Sequence, residues 1–375
     1  MQIQLERAAL LGALERVRSV VEARSTIPIL SHVRLEVSGT TLTVATTDLD
    51  MEAVATATTS DFDTRDGALT APASTLYEIV RKMPDGAQVL LTYDGSDPRL
   101  LVKAGRSKVN LPILLAGDFP DMASDGLGKE ILIKTADLAK LLDNTAFCMS
   151  TEETRYYLQG VYLHTTTNRL GDTVLRAAAT DGHRLAMAEV PLPDGMGEMA
   201  GVIVPRKTVR EVKRMLEGHD TIAFRSSTSK VQFTTPSGNK LTSKVIDGAF
   251  PDYVRVIPRD SNGTVQFDPN VMASAVDRVA TISAEKSRSA KFEFTDGKAK
   301  LTVRNMEAGQ AVEEVEVDYT GPAVEIGLNA RYVLDVLSRI REGEAVFDLL
   351  DAGSPVKVTD SEDGSMLFVI MPLRV

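Results

Sequence analysis

Three groups of residues have types and spacings that could do chemistry. Asp48-Leu-Asp50 offers two carboxylates able to share a metal ion, and His183, inside Thr180-Asp-Gly-His-Arg-Leu185, is the best-placed general base. Tyr156-Tyr157, beside Arg155, could stack on bases or sugars. Plainer readings compete with each. Asp48 lies six residues after Leu42, Asp181 six after Leu175 and Glu307 six after Leu301, so an acidic position recurs three times, as scaffold features do. His183 has no recognisable nucleophile beside it, and His32, His164 and His219 are isolated. A tyrosine pair also suits packing with a polar rim. The chain has no phosphate-cradling glycine loop, no His-Glu-x-x-His and no nucleophile elbow, so no catalytic residue, metal site or cofactor is expected.

The elements that must hold these residues come in three copies. Ile131 to Thr145 reads as a short alternating strand, a polar break and a helix. Ile133, Leu138, Leu142 and Thr145 are matched by Leu5, Leu10, Leu14 and Val17 near the start, and by Phe267, Met272, Val276 and Val279 in the last third. A strand follows 28 residues on in the first two copies (Leu5 to Val33, Ile133 to Val161) and 25 on in the third (Phe267 to Phe292). A second helix is predicted over Ser74 to Met83, Pro205 to Glu217 and Asn329 to Glu342, with Ser74 and Asn329 as N-caps and Pro205 in a first turn. Each ends in a hairpin: Leu100–Val102 with Val109–Leu111, Val231–Phe233 with Leu241–Val245, and Val356–Val358 with Met366–Ile370. The class is α+β, three repeated domains over 1–127, 128–255 and 256–375, divided in the turn-rich stretches Ser124 to Gly128 and Pro258 to Gly263.

Charge is distributed unevenly over these elements. The net charge of −10 argues against coating the whole surface with nucleic acid. Yet the six helical windows hold fifteen basic against nine acidic residues, and the excess concentrates in Arg206, Lys207, Arg210, Lys213 and Arg214. The first copy's last hairpin carries Arg99, Lys103, Arg106 and Lys108 without an acid, whereas the third copy's middle carries Glu307, Glu313, Glu314, Glu316 and Asp318. Complementary ends invite head-to-tail association, which closes into a ring when the rotation allows. A repeat of this length forms a sphere roughly 36 Å across; three in a ring leave a hole of only about 6 Å and six leave about 36 Å. A duplex, about 20 Å wide with its grooves, fits only the larger, so two chains could surround it and one could not.

Composition narrows the setting. The chain is 375 residues long with one cysteine, Cys148, which excludes an internal disulfide framework and suits a reducing compartment. Its start lacks the basic flank and apolar centre of a signal peptide and no stretch is long enough to span a bilayer, so a cytoplasmic location is expected. Met371, Pro372 and Leu373 follow the last apolar strand, and flexible Met beside Pro and Leu suits a groove for partner peptides.

Thr180-Asp-Gly-His-Arg-Leu-Ala186, Ile203-Val-Pro-Arg-Lys207, Phe250-Pro-Asp-Tyr253, Tyr332-Val-Leu-Asp-Val-Leu337 and Val369-Ile-Met-Pro-Leu-Arg374 together resemble the bacterial sliding clamp family, the beta subunit of DNA polymerase III. The resemblance runs from Met1 to Val375. It implies the DNA-clamp fold as a head-to-tail homodimer, helices lining a hole and sheets outside, encircling duplex DNA without sequence specificity as a non-catalytic processivity factor. By the same resemblance, Arg24, Arg81, Arg206, Lys207, Tyr156 and Tyr157 lie near DNA. A partner-peptide pocket is implied at Leu158, Thr180, Gly182, His183, Arg184, Leu185, Pro251, Arg255, Val256, Asn329, Tyr332, Val369, Met371, Pro372, Leu373 and Arg374. Its implied partners are the clamp loader, replicative and repair polymerases and other proteins bearing a short motif with a glutamine and terminal Leu and Phe. A dimer seam would use Val109 and Leu111 against Thr281 and Ile282, with Arg106 and Lys108 alongside. The family commonly ends in leucine where Val375 stands here. Two rival readings remain: a triplicated hydrolase using Asp48, Asp50 and His183, and a peptide-binding scaffold that never embraces DNA.

Overall fold

The computed structural model describes residues 1–22, 26–122, 125–283 and 289–374; Arg24, Ser124 and Val375 lie outside the described residues. Each repeat runs strand, helix, four strands, helix, three strands, and the third inserts one extra short strand, Asp318–Thr320. The helices are α1 (Arg7–Val17), α2 (Ala73–Arg81), α3 (Thr135–Asp143), α4 (Arg206–Met215), α5 (Pro269–Ala280) and α6 (Ala330–Leu337). Their burial follows the helical spacing. Leu10, Leu14 and Val17 in α1 are inside, as are Leu138 and Leu142 in α3 and Met272, Val276 and Val279 in α5. Thr145, the polar member of the set, is wholly buried and donates its hydroxyl to the Leu141 carbonyl at 2.7 Å, which removes the cost of burying it.

The helix ends depart from expectation at two of the three second helices. Asn329 caps α6 as predicted, its side-chain oxygen accepting the Arg331 and Tyr332 N–H groups. Ser74 lies inside α2, which begins after Pro72 without a side-chain cap, and Pro205 closes the strand Val202–Pro205. The other end of α2 is tied by Arg7, which donates to the Val80 carbonyl at 3.1 Å and the Arg81 carbonyl at 2.6 Å and pairs with Asp85. A cation there also complements the helix dipole.

The chain forms two compact units. The first comprises Met1–Thr135 with Arg210–Val245, the second Ala136–Val209 with Ile246–Val375, so the middle repeat contributes to both. In the first unit, Gln2–Glu6, Gln88–Thr92, Arg99–Ala104 and Ser107–Pro112 form a four-stranded sheet in that order. An eight-stranded sheet joins the first repeat's middle strands to the second repeat's last ones through Met51–Thr58 against Lys240–Lys244, with Leu241 opposite Ala53 and Thr242 opposite Glu52. The second unit repeats the scheme. Its nine-stranded sheet crosses from the second repeat to the third through Arg184–Pro191 against Met366–Ile370, and its four-stranded sheet ends at Gly309–Glu316.

One rule generates all four sheets. Within a repeat the first strand joins a sheet with the last three and the middle four pair together, and then the third middle strand accepts the final strand of the next repeat. Applied twice, the rule leaves unmatched the final strand of the first repeat, Ser107–Pro112, and the third middle strand of the third repeat, Gly309–Glu316, each at the edge of its sheet.

Candidate functional site

The second unit carries a strap, Phe250 to Ile257, laid across one face of the nine-stranded sheet. Strand alternation and register put Tyr162 and His164, Arg176, Ala178 and Thr180, Leu185, Met187 and Glu189, and Leu367 and Val369 on that face. The strap packs on Ala178, Leu185, Leu367 and Val369 through Phe250, Tyr253 and Ile257. Phe250 stacks on Tyr162 with ring centroids 4.8 Å apart, and the Tyr253 hydroxyl lies 2.9 Å from His164 Nε2 and accepts from Arg176 at 3.5 Å. Arg176 is in turn paired with Glu189 at 2.7 Å. Burial first, and the Arg176 cation second, lower the His164 pKa to about 4 and keep the ring neutral.

Beside the strap lies a cavity of about 260 Å³ lined by Arg155, Tyr157, Leu158, Thr180, Gly182, Arg184, Leu185, Pro251, Asp252, Tyr253, Val256, Val369 and Met371. Its floor is apolar, from Leu158, Leu185, Pro251, Val256, Val369 and Met371, and its rim is polar, the make-up of a site that takes an apolar side chain and orients it by a few hydrogen bonds. One wall is built around Arg184. That guanidinium binds Asp181 at 3.0 Å, Asp335 at 2.6 Å and the Phe147 carbonyl at 2.8 Å, and lies 4.4 Å from the Tyr332 ring centroid. Removing one partner from so buried a set destabilises by roughly 3–5 kcal/mol, so Arg184 fixes the wall. Gly182 permits the turn below it: its φ is +87° and an added Cβ would sit 2.5 Å from Arg155 Nη1.

Nine of the sixteen residues implied by resemblance line this cavity: Leu158, Thr180, Gly182, Arg184, Leu185, Pro251, Val256, Val369 and Met371. Seven stand elsewhere. His183 is exposed, and its carbonyl accepts the Met371 N–H at 2.9 Å. Arg255 is exposed and paired with Asp252, Asn329 is spent on capping α6, and Tyr332 supports Arg184. Pro372 is half-buried, Leu373 is held by its N–H to the Gly327 carbonyl, and Arg374 is exposed. The lining residues absent from that set are Arg155, Tyr157, Asp252 and Tyr253; the sequence signal for the last two is the Phe250-Pro-Asp-Tyr253 motif, which also holds Pro251.

The candidate DNA residues divide likewise. Arg24 is outside the described residues. Arg81 is exposed at the end of α2 and paired with Glu78 at 2.7 Å. Arg206 donates to the Met149 and Ser150 carbonyls at 2.7 and 3.0 Å, so part of its fork holds the fold while its charge remains at the start of α4. Lys207 beside it is half-buried, and Arg210, one turn on, is exposed with no partner among the described residues. Tyr156 is 53% exposed and meets Tyr157 edge to face at 5.7 Å, whereas Tyr157 lines the cavity. Of the candidate seam residues, Arg106 and Lys108 are exposed, Val109 and Ile282 half-buried, and Leu111 points inward. Thr281 is exposed, its hydroxyl donated to the Asp277 carbonyl.

Of the two carboxylates in the hydrolase reading, Asp48 holds a turn and Asp50 is exposed and paired with Lys244 at 3.0 Å. Asp48 Oδ1 accepts the Asp50 and Met51 N–H groups at 3.1 and 2.8 Å, and Asp181 Oδ1 accepts those of His183 and Arg184, both at 3.0 Å. In the third repeat the same turn is made by Asn305, which accepts from Glu307 and Ala308; it stands two residues before the expected Glu307 because Leu301 is the fourth residue of its strand, where Leu42 is the second. Cys148 is buried, and burial pushes its thiol pKa up, which makes it unreactive.

Comparison with known proteins agrees along the whole chain. Residues 1–123, 132–252 and 254–374 match the N-terminal, central and C-terminal domain models of the DNA polymerase III beta subunit. The chain is 56% identical over 378 residues to a beta sliding clamp of Caulobacter vibrioides, with all of both chains covered. It is 35% identical over 376 residues to that of Escherichia coli, again with full coverage. A crystal structure of a Caulobacter crescentus beta sliding clamp superposes with a TM-score of 0.97 at 56% identity, covering 100% of this chain and 99% of the other. A Bartonella birtlesii sliding clamp bound to griselimycin gives 0.94 at 39% identity, with both chains covered fully.

Proposed function

The chain belongs to the DNA polymerase III beta subunit family, the sliding clamps, which are non-catalytic processivity subunits, and on that premise we propose that two copies close head to tail around duplex DNA. The observation that carries the reading is the pair of unmatched edges. Ser107–Pro112 ends the first unit's four-stranded sheet, and Gly309–Glu316 ends that of the second. Two seams inside the chain already join the same kinds of strand, so joining these edges between two copies extends one rule to the two strands it leaves unmatched. Arg106 and Lys108 would then face the acids of Gly309–Glu316, beside Val109 and, across the seam, Thr281 and Ile282.

Retention on DNA is topological. Cations on the helices, Arg81, Arg206 and Lys207 among them, meet phosphates without reading bases, so the ring slides; Arg24 belongs to the same reading by resemblance. Partners are tethered at the 260 Å³ cavity, which takes the terminal apolar residues of a short motif carried by the clamp loader, by replicative and repair polymerases and by other clamp-binding proteins. Tyr157 lines that cavity and Tyr156 is exposed beside it, from where both would reach the DNA. Domain limits of 1–127, 128–255 and 256–375, and a cytoplasmic location, belong to the same reading; among the described residues no helix is long and apolar enough to cross a membrane.

The test combines solution mass with retention on nicked circular DNA after loading. A mass of two chains, persistence on the circle and loss within seconds of linearisation are expected. A lone protomer at working concentration, or equal retention on linear DNA with free ends, overturns the ring.

A further inference from the structure

The strap has a second side. Beyond Tyr253 the same sheet face opens into a larger cavity of about 1120 Å³, bordered by Arg169, Leu170, Met187, Val254 and Arg259. The two cavities share one floor: Leu185 lines the smaller, and Met187 and Glu189, two and four residues further along the same strand, line the larger. At about 3.3 Å per residue that separation is roughly 13 Å, or four extended residues. Val254 and Val256, 44% and 49% exposed, form an apolar ridge on the strap between them.

The charges on the larger cavity are not all balanced. Arg176 is paired with Glu189, Lys357 with Asp348, and Asp360 accepts the Arg341 and Glu342 N–H groups. Arg169 and Arg259 are exposed and make no ion pair among the described residues. Leu170 beside Arg169 is 87% exposed.

We propose that this larger cavity receives an acidic flank of the same partner chain whose apolar motif fills the smaller one, with carboxylates about four residues outside the motif meeting Arg169 and Arg259. The inference rests on the tethering role of the smaller cavity. Charge complementarity argues for an acidic occupant, and the shared floor argues that it belongs to the chain already docked. A basic flank would be repelled, so the larger cavity would rank partners that carry the same motif.

The test uses the full-length protein and labelled peptides: a glutamine-to-Leu-Phe motif alone, and the motif extended on either side by six residues bearing three Asp or three Lys. Fluorescence anisotropy at about 50 mM salt is expected to give roughly threefold to tenfold tighter binding for one acidic extension, a gain that fades by about 300 mM. Arg169→Glu with Arg259→Glu should leave the bare motif unchanged, abolish that gain and favour the Lys extension. If the bare motif binds but neither acidic extension helps, or the gain survives the double variant, the flank proposal is wrong while tethering stands. If the bare motif does not bind at all, tethering fails and takes the flank with it.

Discussion

Burial acts with opposite signs on two side chains, and each sets its own pH dependence. Glu52, 7% exposed on Met51–Thr58, has its pKa raised to about 7, by burial first and by the Asp121 carboxylate second. A carboxyl whose pKa is higher folded than unfolded lends stability fully below about 4.5, and that stability is lost as pH rises through 7. Glu52→Gln removes the charge that must otherwise be buried. It should raise stability by roughly 1–3 kcal/mol at pH 8 and by little at pH 5, read as urea midpoints at the two pH values. An equal gain at both would assign the effect to packing. His164 runs the other way. Its folded pKa, about 4, lies below the ordinary 6.5, so the unfolded chain binds the extra proton and stability falls as pH drops between those values. The loss approaches about 3 kcal/mol, since each pKa unit is worth roughly 1.4 kcal/mol. His164→Gln, which keeps a polar atom toward Tyr253, should flatten that acid limb; an unchanged slope from pH 6.5 to 4 would place the acid sensitivity elsewhere.

At the scale of elements, the turn between the third and fourth strands supplies an internal control. In the second repeat Asp181 is followed by Gly182 at φ +87°, and in the first Asp48 is followed by Leu49 at φ +78°, the only non-glycine residue with positive φ among those described. A side chain held left-handed is strained by roughly 1–2 kcal/mol, partly offset in a glycine variant by greater unfolded-state entropy. Leu49→Gly should therefore stabilise by about 0.5–1 kcal/mol in thermal melts, whereas Gly182→Leu should destabilise because Arg155 fills the space. The repeats themselves were legible in sequence because two-residue and helical spacings are local, and Leu10, Leu138 and Met272 are buried where that spacing put them. The third turn falls on Asn305 and not on Glu307, because Leu301 sits two places further along its strand than Leu42 does, an offset that the apolar pattern alone does not reveal. The cavity was legible only in part. Thr180 to Leu185 lies on one turn and strand, but Tyr253 and Asp252 enter from a strap whose path depends on contacts 70 to 90 residues distant, as with Tyr253 to His164. Arg206 illustrates a different limit: composition counts its charge, while only structure reveals that the guanidinium already serves two carbonyls.

At the scale of the whole molecule, the proposed head-to-tail closure would depend on what the two unmatched edges carry. Unprotected edges pair indiscriminately, so charge on them selects the partner. Lys108 is exposed on Ser107–Pro112, next to Arg106 on its turn, and neither makes an ion pair among the described residues. On Gly309–Glu316 the acids are partly occupied: Glu313 pairs with Arg278 and Glu314 with Lys298 at 3.1 Å, leaving Glu316 exposed without an ion pair among the described residues. The attraction available at the proposed seam is therefore smaller than the count of acids suggests, and a backbone ladder beside Val109 would have to supply the specificity. Reversing Arg106 and Lys108 to Glu sets like charges against one another, and the dimer should weaken by at least about tenfold at low salt, with the difference narrowing as screening grows. Adding Glu316→Lys to that variant should recover part of the lost association, because it restores opposite charge across the same edge. Sedimentation velocity over a range of concentrations at about 50 and 500 mM salt distinguishes the cases. Association indifferent to the reversal, or no recovery on the swap, would mean that these strands do not face one another, and the head-to-tail geometry would have to be abandoned even if the protein remained dimeric.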